Sequence, residues 1–384
     1  MTSRRQVLRL IGGSAAALAA IGAGGAAFVA TREPVAAQRP WSDAARGGFG
    51  EPRLEALAWA ILAPNPHNRQ PWLFALAGDD TIMVHCDLAR RLPQTDPFDR
   101  QIVIGFGCML ELLRMAAAEQ GHYAHIELFP EGEPQPRLDG RAIAHVRLEA
   151  GGQADPLFAH ASSRRSNKEV FDTRRPVSAQ VLSDLVGHAA PLLRTEVMAD
   201  PEGIAALRAL TWRAMETELT TADALNESIE LMRIGRAEIE ANPDGIALSG
   251  AAMELMNRAG LVTRASLSDP RSPAFGQTLT LYESLTYSAM AHIALVSPGN
   301  TRAEQIRAGR DWLRLNLAAT ASGLGLHPLS QALQEFPEMA AHYEEAHARL
   351  APDGGTVQML GRVGYGPQTA PTPRWPLETR IVSV

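Results

Sequence analysis

The sequence is poor in cysteine, in aromatic side chains and in net positive charge. Only Cys86 and Cys108 occur in 384 residues, and neither stands in a Cys-x-x-Cys pair or beside metal-spaced histidines. Sequence alone cannot pair them, and two thiols buried inside apolar stretches is the simpler reading. The net charge of −6 leaves no basic field to attract nucleic acid. Histidines are scattered, without His-Glu-x-x-His or a Cys/His set, so no metal site stands out. No Gly-x-Gly-x-x-Gly opens a helix after a strand, which argues against a dinucleotide-binding βαβ unit. No Gly-x-Ser-x-Gly elbow is present either. What remains is a globular composition, 46% hydrophobic and 20% charged. The length suits two domains at about 150 residues each, enough to bury a core without staples.

The first residues read as an address. Arg4-Arg5 precede Val7-Leu8, an Ala/Gly-rich apolar run follows from Leu10 to Ala30, and Val35-Ala36-Ala37 offers a small-residue exit before Gln38. This is a charged, apolar and small-residue succession, and the paired arginines resemble a twin-arginine (Tat) export signal. Residues 1–37 are therefore expected to be a signal peptide read by the Tat machinery, with a periplasmic or extracytoplasmic destination. The apolar run is also about long enough to span a bilayer, so an uncleaved signal would leave an N-terminal membrane anchor. Proteins on this route travel folded, often with a cofactor already loaded.

Residues 38–52 are polar and Gly-rich and read as a linker. Residues 53–155 then read helix, loop, hairpin, long apolar helix, strand, strand, an α+β order and not an alternating parallel one. Residues 156–384 repeat a similar order, with Ser178 as an N-cap, a helix at 303–322 ended by Gly323, a strand at 357–363 and an extended Pro-rich tail. Continuous helices are expected at 201–224 and 228–240. Residues 225–275 have no counterpart in the first half and read as an inserted helical lid, an extension of the core being the alternative. Repetition of a whole unit suggests a fused pseudo-dimer, which favours a monomeric chain.

Four segments can carry chemistry. The first is Ala63-Pro64-Asn65-Pro66-His67-Asn68-Arg69-Gln70-Pro71-Trp72. Its Asn and Gln amides each offer donors and an acceptor suited to a flat heterocycle. The second is Ser163-Arg164-Arg165-Ser166-Asn167-Lys168, a compact set of cations and hydroxyls suited to phosphate. The third, from Gly323 to Gln331, follows the long helix, and the fourth is Pro373-Arg374-Trp375-Pro376-Leu377. Taken singly, these also read as turn chemistry, a solvated basic loop, a helix end and a surface tail.

Together they resemble the nitroreductase superfamily, whose flavin loop runs Ala-Pro-Ser-x-x-Asn-x-Gln-Pro-Trp and whose phosphate segment runs Arg-[Arg/His]-Ser-x-[Arg/Lys]. The first match holds at Ala63, Pro64, Asn68, Gln70, Pro71 and Trp72, with Asn65 where Ser is usual. The resemblance implies an α+β fold of two fused nitroreductase-like halves and an FMN-dependent oxidoreductase acting through flavin N5. By it, Arg164 and Arg165 face the FMN phosphate and Ser166 donates to the phosphate or ribityl chain. Lys168 lies at the N1/O2 edge, where a cation stabilises the charge of the reduced ring. Pro64, Asn65, Asn68 and Gln70 face the flavin, and Ser330 and Gln331 supply a main-chain N–H to N5. Arg374 is a second phosphate-side cation and Arg362 a weaker candidate. Ser330-Gln331 departs from the Glu-Gly pair of many relatives. Each cluster occurs once, so the chain resembles the single-chain, duplicated Acg-type branch, with one flavin per chain. No side chain is required as a general acid or base. The acceptor is a small molecule. NAD(P)H is the family's electron donor, and a quinone or protein donor is the alternative for an exported chain. A flavin carrier without turnover, or a flavin-free relative kept for binding, are the rival readings.

Overall fold

The computed structural model describes residues 32–383. The twin-arginine pair and the apolar run from Leu10 to Ala30 lie outside the described residues. The elements are α1 (Val35–Arg46), α2 (Pro52–Ala60), β1 (Trp72–Ala77), β2 (Thr81–Cys86), α3 (Arg100–Glu119), β3 (His122–Leu128) and β4 (Ala144–Ala150). The second part of the chain continues with α4 (Ala179–Ala189), β5 (Arg194–Met198), α5 (Pro201–Thr220), α6 (Ala222–Glu230), β6 (Met232–Ile234), α7 (Arg236–Ala241) and β7 (Ile246–Leu248). It ends with α8 (Ala251–Arg258), α9 (Arg264–Ser268), α10 (Pro273–Tyr287), β8 (Ala291–Ser297), α11 (Arg302–Ala321), β9 (Gly325–Pro328), α12 (Ala340–Leu350) and β10 (Thr356–Gly364).

The fold is α+β, as expected from the element order. Two antiparallel four-stranded sheets run β1-β2-β4-β3 and β5-β8-β10-β9, and a two-stranded parallel ribbon pairs β6 with β7. Between the sheets, the 20-residue helices α3 and α11 cross in close contact. Gly107 and Gly309 make that crossing. A Cβ on Gly107 would strike Ile306 O, and one on Gly309 would strike Ile104 O. Cys108 donates its thiol to Gly309 O at 3.0 Å in the same seam. Both cysteines are buried and free, and burial raises the Cys108 thiol to about 12. The two sheets and the two helices share one apolar core, in which Trp72, Phe74, Phe106, Trp312 and Leu313 are buried. Helix α3 is long and apolar enough to cross a bilayer, but it lies inside this core.

Three expectations need correction. Residues 38–52 begin not as a linker but inside α1, because Ala37, Trp41 and Ala44 recur at helical spacing and bury one face. Val35-Ala36-Ala37 form the first turn of that helix, and Ala37 O accepts Arg374 N at 2.8 Å. The continuous helix at 228–240 is broken into α6, β6 and α7. Gly235 takes φ 81° there, a left-handed turn that glycine permits without a Cβ clash. Helix α10 occupies residues 273–287, where no element was expected. The segment from α6 to α10 packs its own apolar cluster of Leu225, Ile229, Ile234, Val262, Leu267 and Phe275 against Met215 and Leu219 of α5.

The tail returns across the molecule. Residues 371–374 run beside α1, where Trp41 Nε1 donates to Thr372 O at 2.8 Å. Further on, the tail joins the first sheet as a parallel bridge, with Phe74 N donating to Arg380 O and Val382 N to Phe74 O.

Candidate flavin site

The loop between α2 and β1 is held in an unusual backbone. His67, Asn68 and Gln70 have φ of 46°, 51° and 49°. A left-handed non-glycine residue costs about 1–2 kcal/mol, so three in four residues require strong holding contacts. Those contacts are present. Asn65 Oδ1 accepts Gln70 N at 2.7 Å, and Asn65 Nδ2 donates to Ala63 O across Pro64. Gln70 is fully buried; its Nε2 donates to Pro243 O at 2.8 Å, and its Oε1 accepts Trp375 N at 2.9 Å. Asn68 Nδ2 donates to Pro373 O at 3.0 Å, and its Oδ1 accepts Arg374 Nη1. The amides of Asn68 and Gln70 are thus engaged by the tail and by the turn before β7. Gln70 Nε2 also donates to Asn68 O at 3.3 Å, so Gln70 spends both amide hydrogens within the protein, whereas Asn68 Nδ2 spends one.

That turn is Pro243-Asp244-Gly245. Gly245 N donates to Asn68 O at 3.2 Å. Asp244 Oδ2 meets Arg90 Nη1 at 2.6 Å and lies 3.7 Å from Arg69 Nη1, while Oδ1 meets Arg233 Nη2 at 2.8 Å. One buried carboxylate therefore ties α6–α10 to the loop.

The expected cations do come together. Arg164 and Arg374 are buried, and both donate to Leu62 O, at 3.2 and 3.0 Å. Arg374 also donates to Ala63 O at 3.1 Å. The Trp41 ring lies 5.8 Å from Arg164, 4.5 Å from Arg165 and 5.6 Å from Arg374. Among the described ion pairs none includes Arg164, Arg165, Arg374 or Lys168. Arg164 Nη1 and Arg374 Nε are buried without a partner. Burial first, and then the neighbouring arginines, pull Arg164 down to about 10 and Arg374 well below the usual range.

Ser166 pairs its backbone with Leu326 in a parallel bridge, and this seats the Arg164–Lys168 segment against β9. Arg362 braces the same segment from behind, not at a phosphate. It donates to Asn167 O, Glu169 O, Ser288 Oγ and His327 Nδ1. Solvent reaches Lys168, yet the protein around it is dense enough to lower its ammonium, with Glu218 pulling the other way. It is the only lysine in the chain; every other basic residue among the 36 is arginine. Ser330 is buried, its hydroxyl 3.8 Å from Met359 Sδ. Gln331 is a hydrogen-bond partner of Glu218.

Sequence reasoning missed Trp41, Glu218 and the Asp244 turn. Trp41 carried a signal in its helical spacing with Ala37 and Ala44. Glu218 carried none, because its partners stand far away in sequence.

No family model matches the chain. It is similar along most of its length to proteins of Mycobacterium tuberculosis. One named putative NAD(P)H nitroreductase is 27% identical over 333 residues, 83% of this chain and 87% of that protein. Another, named putative NAD(P)H nitroreductase acg, is 28% identical over 341 residues, 84% of this chain and 93% of that protein. Among solved structures, the FMN-dependent nitroreductase NfnB from Mycobacterium smegmatis in complex with NADPH is 20% identical. It covers 56% of this chain and 92% of its own at a TM-score of 0.34. A putative nitroreductase from Anabaena variabilis is 12% identical, covering 75% of this chain and 69% of its own at 0.36. Both superpositions are too loose to carry an argument. In sequence the chain is similar to proteins named as putative nitroreductases.

Proposed function

We propose that the chain is an FMN-dependent oxidoreductase of the nitroreductase type, with one flavin site per chain. One observation carries this reading: Arg164, Arg165 and Arg374 converge on Trp41 with no carboxylate among the described residues to neutralise them, and two of their nitrogens are buried and unbonded. Mutually repelling buried guanidinium groups ask for an anion, and a phosphate ester suits their fork geometry. The donor set therefore fits the phosphate end of FMN. Lys168 would face the ring, where a cation steadies the charge gained on reduction. When bound, the cofactor supplies hydride and electron transfer. The protein's share is to hold the phosphate, orient the ring and exclude water through the α6–α10 segment, which would act as a lid.

The cation set occurs once in the sequence, which supports a single site in two fused halves and a monomeric chain of the duplicated Acg type. NAD(P)H is the proposed donor by similarity to the named relatives, and a small organic molecule the acceptor. The twin-arginine pair supports Tat export to an extracytoplasmic compartment, with the cofactor loaded before transit.

A carrier reading has one observation in its favour: the Pro243-Asp244-Gly245 turn sits on the Asn68–Gln70 loop and engages its amides. The visible spectrum of the purified chain separates the alternatives. Yellow protein bleached by both dithionite and NADPH is the expected result. Bleaching by dithionite alone favours a carrier or another donor. Colourless protein that cannot be reconstituted with FMN refutes the proposal. As a control, Arg374→Gln is expected to weaken FMN binding at least tenfold and riboflavin binding little, since riboflavin has no phosphate.

A further inference from the structure

Glu218, on the last turn of α5, is a buried acid to which no role has yet been assigned. Its Oε2 accepts Gln334 Nε2 at 2.7 Å, and the Gln331 amide is a second partner. Both glutamines keep a buried side-chain carbonyl, Oε1, with no donor. A carboxylate can answer neither carbonyl, because it only accepts; a neutral carboxyl can donate to one of them. The cluster is therefore built for a carboxyl that carries a proton. Burial raises Glu218 to about 7, against the two amide hydrogen bonds, and Lys168 is the cation that opposes the rise.

Few other charges bear on it. Glu227 of α6 adds to the rise, but its carboxylate is held by Gln94 N and by the amide and hydroxyl of Thr95. Tyr282 of α10 faces Glu218 and is pushed up to about 12, chiefly by burial. From α12, His342 bonds to Thr217 and Glu345 pairs with Arg213. His292 of β8 feels Arg208 at an earlier turn of α5, and Glu338, in the turn before α12, is exposed.

Resting on the FMN reading above, we infer that Glu218 is the proton donor of the site, giving its proton to an acceptor lying between it and Lys168. A two-electron organic acceptor of the quinone class needs one hydride and one proton to become a hydroquinone. With reduced FMN bound, the hydride would come from the cofactor, and Glu218 would supply the proton by breaking its O–H bond, so that hydride and proton together complete the hydroquinone. The carboxylate left behind is steadied by Gln331, Gln334 and Lys168, and it regains a proton from the water that reaches Lys168. Gln331 thereby gains a side-chain role beside its main-chain one.

The experiment uses the full FMN-loaded chain, with 1,4-benzoquinone as acceptor. FMN affinity is measured first, by flavin fluorescence, in the wild type, Glu218→Gln and Glu218→Asp. It is expected to be equal within twofold in all three. The dithionite-reduced proteins are then mixed with the quinone across pH 5–9. Wild-type reoxidation is expected to fall about tenfold per pH unit above pH ~7. Glu218→Gln is expected to be about a hundredfold slower and flat, and Glu218→Asp to recover a sloping profile. Difference infrared spectra supply a readout independent of turnover: a carboxylic acid carbonyl band that titrates near neutrality and is missing from Glu218→Gln. A Glu218→Gln profile that matches the wild type, or no such band, overturns the assignment to Glu218 while the FMN reading stands. Failure of all three proteins to bind FMN overturns the FMN reading, and the proton-donor role falls with it.

Discussion

Replacing Asp244 with asparagine should unlatch the α6–α10 segment from the Asn65–Gln70 loop. The carboxylate is 7% exposed, and the facing arginines, Arg69, Arg90 and Arg233, are 10–16% exposed. Arg90 would keep Asp87 at 3.0 Å. Arg69 would keep only the carbonyls of Ala89 and Arg90, and Arg233 those of Glu230 and Met232. Two nearly buried cations would lose their counter-charge. Breaking a buried pair in this way costs about 3–5 kcal/mol, and the retained carbonyls put this case near the lower figure. About 3 kcal/mol corresponds to a hundredfold or more in the local opening equilibrium. Hydrogen exchange at the Gly245 amide, which donates to Asn68 O, should accelerate by that factor, with a lower urea midpoint for the whole chain. A stability change under about 0.5 kcal/mol, the range of an ordinary surface substitution, with unaltered Gly245 exchange, would refute the latch.

Two further outcomes follow from the packing. Glu218→Gln should alter how stability depends on pH. The folded-state value is raised from 4.5 to about 7, so wild-type stability is full below pH ~4.5 and is lost as pH rises through about 7. The variant has nothing to ionise and should gain on the wild type over that window, by about 3 kcal/mol at pH 8. Urea midpoints at pH 4.5 and pH 8 check this. Gly309→Ala should force α3 and α11 apart, because its Cβ would meet Ile104 O in the backbone. A loss of about 3 kcal/mol is expected from thermal melts, and an unchanged melting temperature would contradict the close crossing.

Local signals in the sequence translated well into elements. Ser178 does cap α4, accepting Val181 N. The hairpin expected after the loop forms, with Trp72–Ala77 paired antiparallel to Thr81–Cys86, and α11 ends at a left-handed Gly323. The failures have physical causes. The sequence around Trp41 is polar because α1 buries only four of its residues, Ala37, Pro40, Trp41 and Ala44. Gly235 held the signal for the break between β6 and α7, but the polar residues around it read as one helix. In the site, Arg164 and Arg165 were legible as a cation cluster because they adjoin in sequence, whereas Arg374 reaches them only through the returning tail. Asn68 and Gln70 were legible as important but not for the contacts they make: their partners Pro243, Pro373 and Trp375 lie more than 170 residues away. Glu218 depends on Gln334, 116 residues distant, and no local pattern marks such a pair.

The lone lysine has a consequence for handling the protein. Amine-directed reagents ordinarily decorate a surface at many points. Here a single side-chain amine exists, and it stands at the end of the Arg164–Lys168 segment of the candidate site. Its lowered ammonium also leaves more of the nucleophilic free base near neutrality than an ordinary lysine would. A mild acylating label would therefore read out one address, and protection of that address would report whatever binds beside Lys168, coloured or colourless.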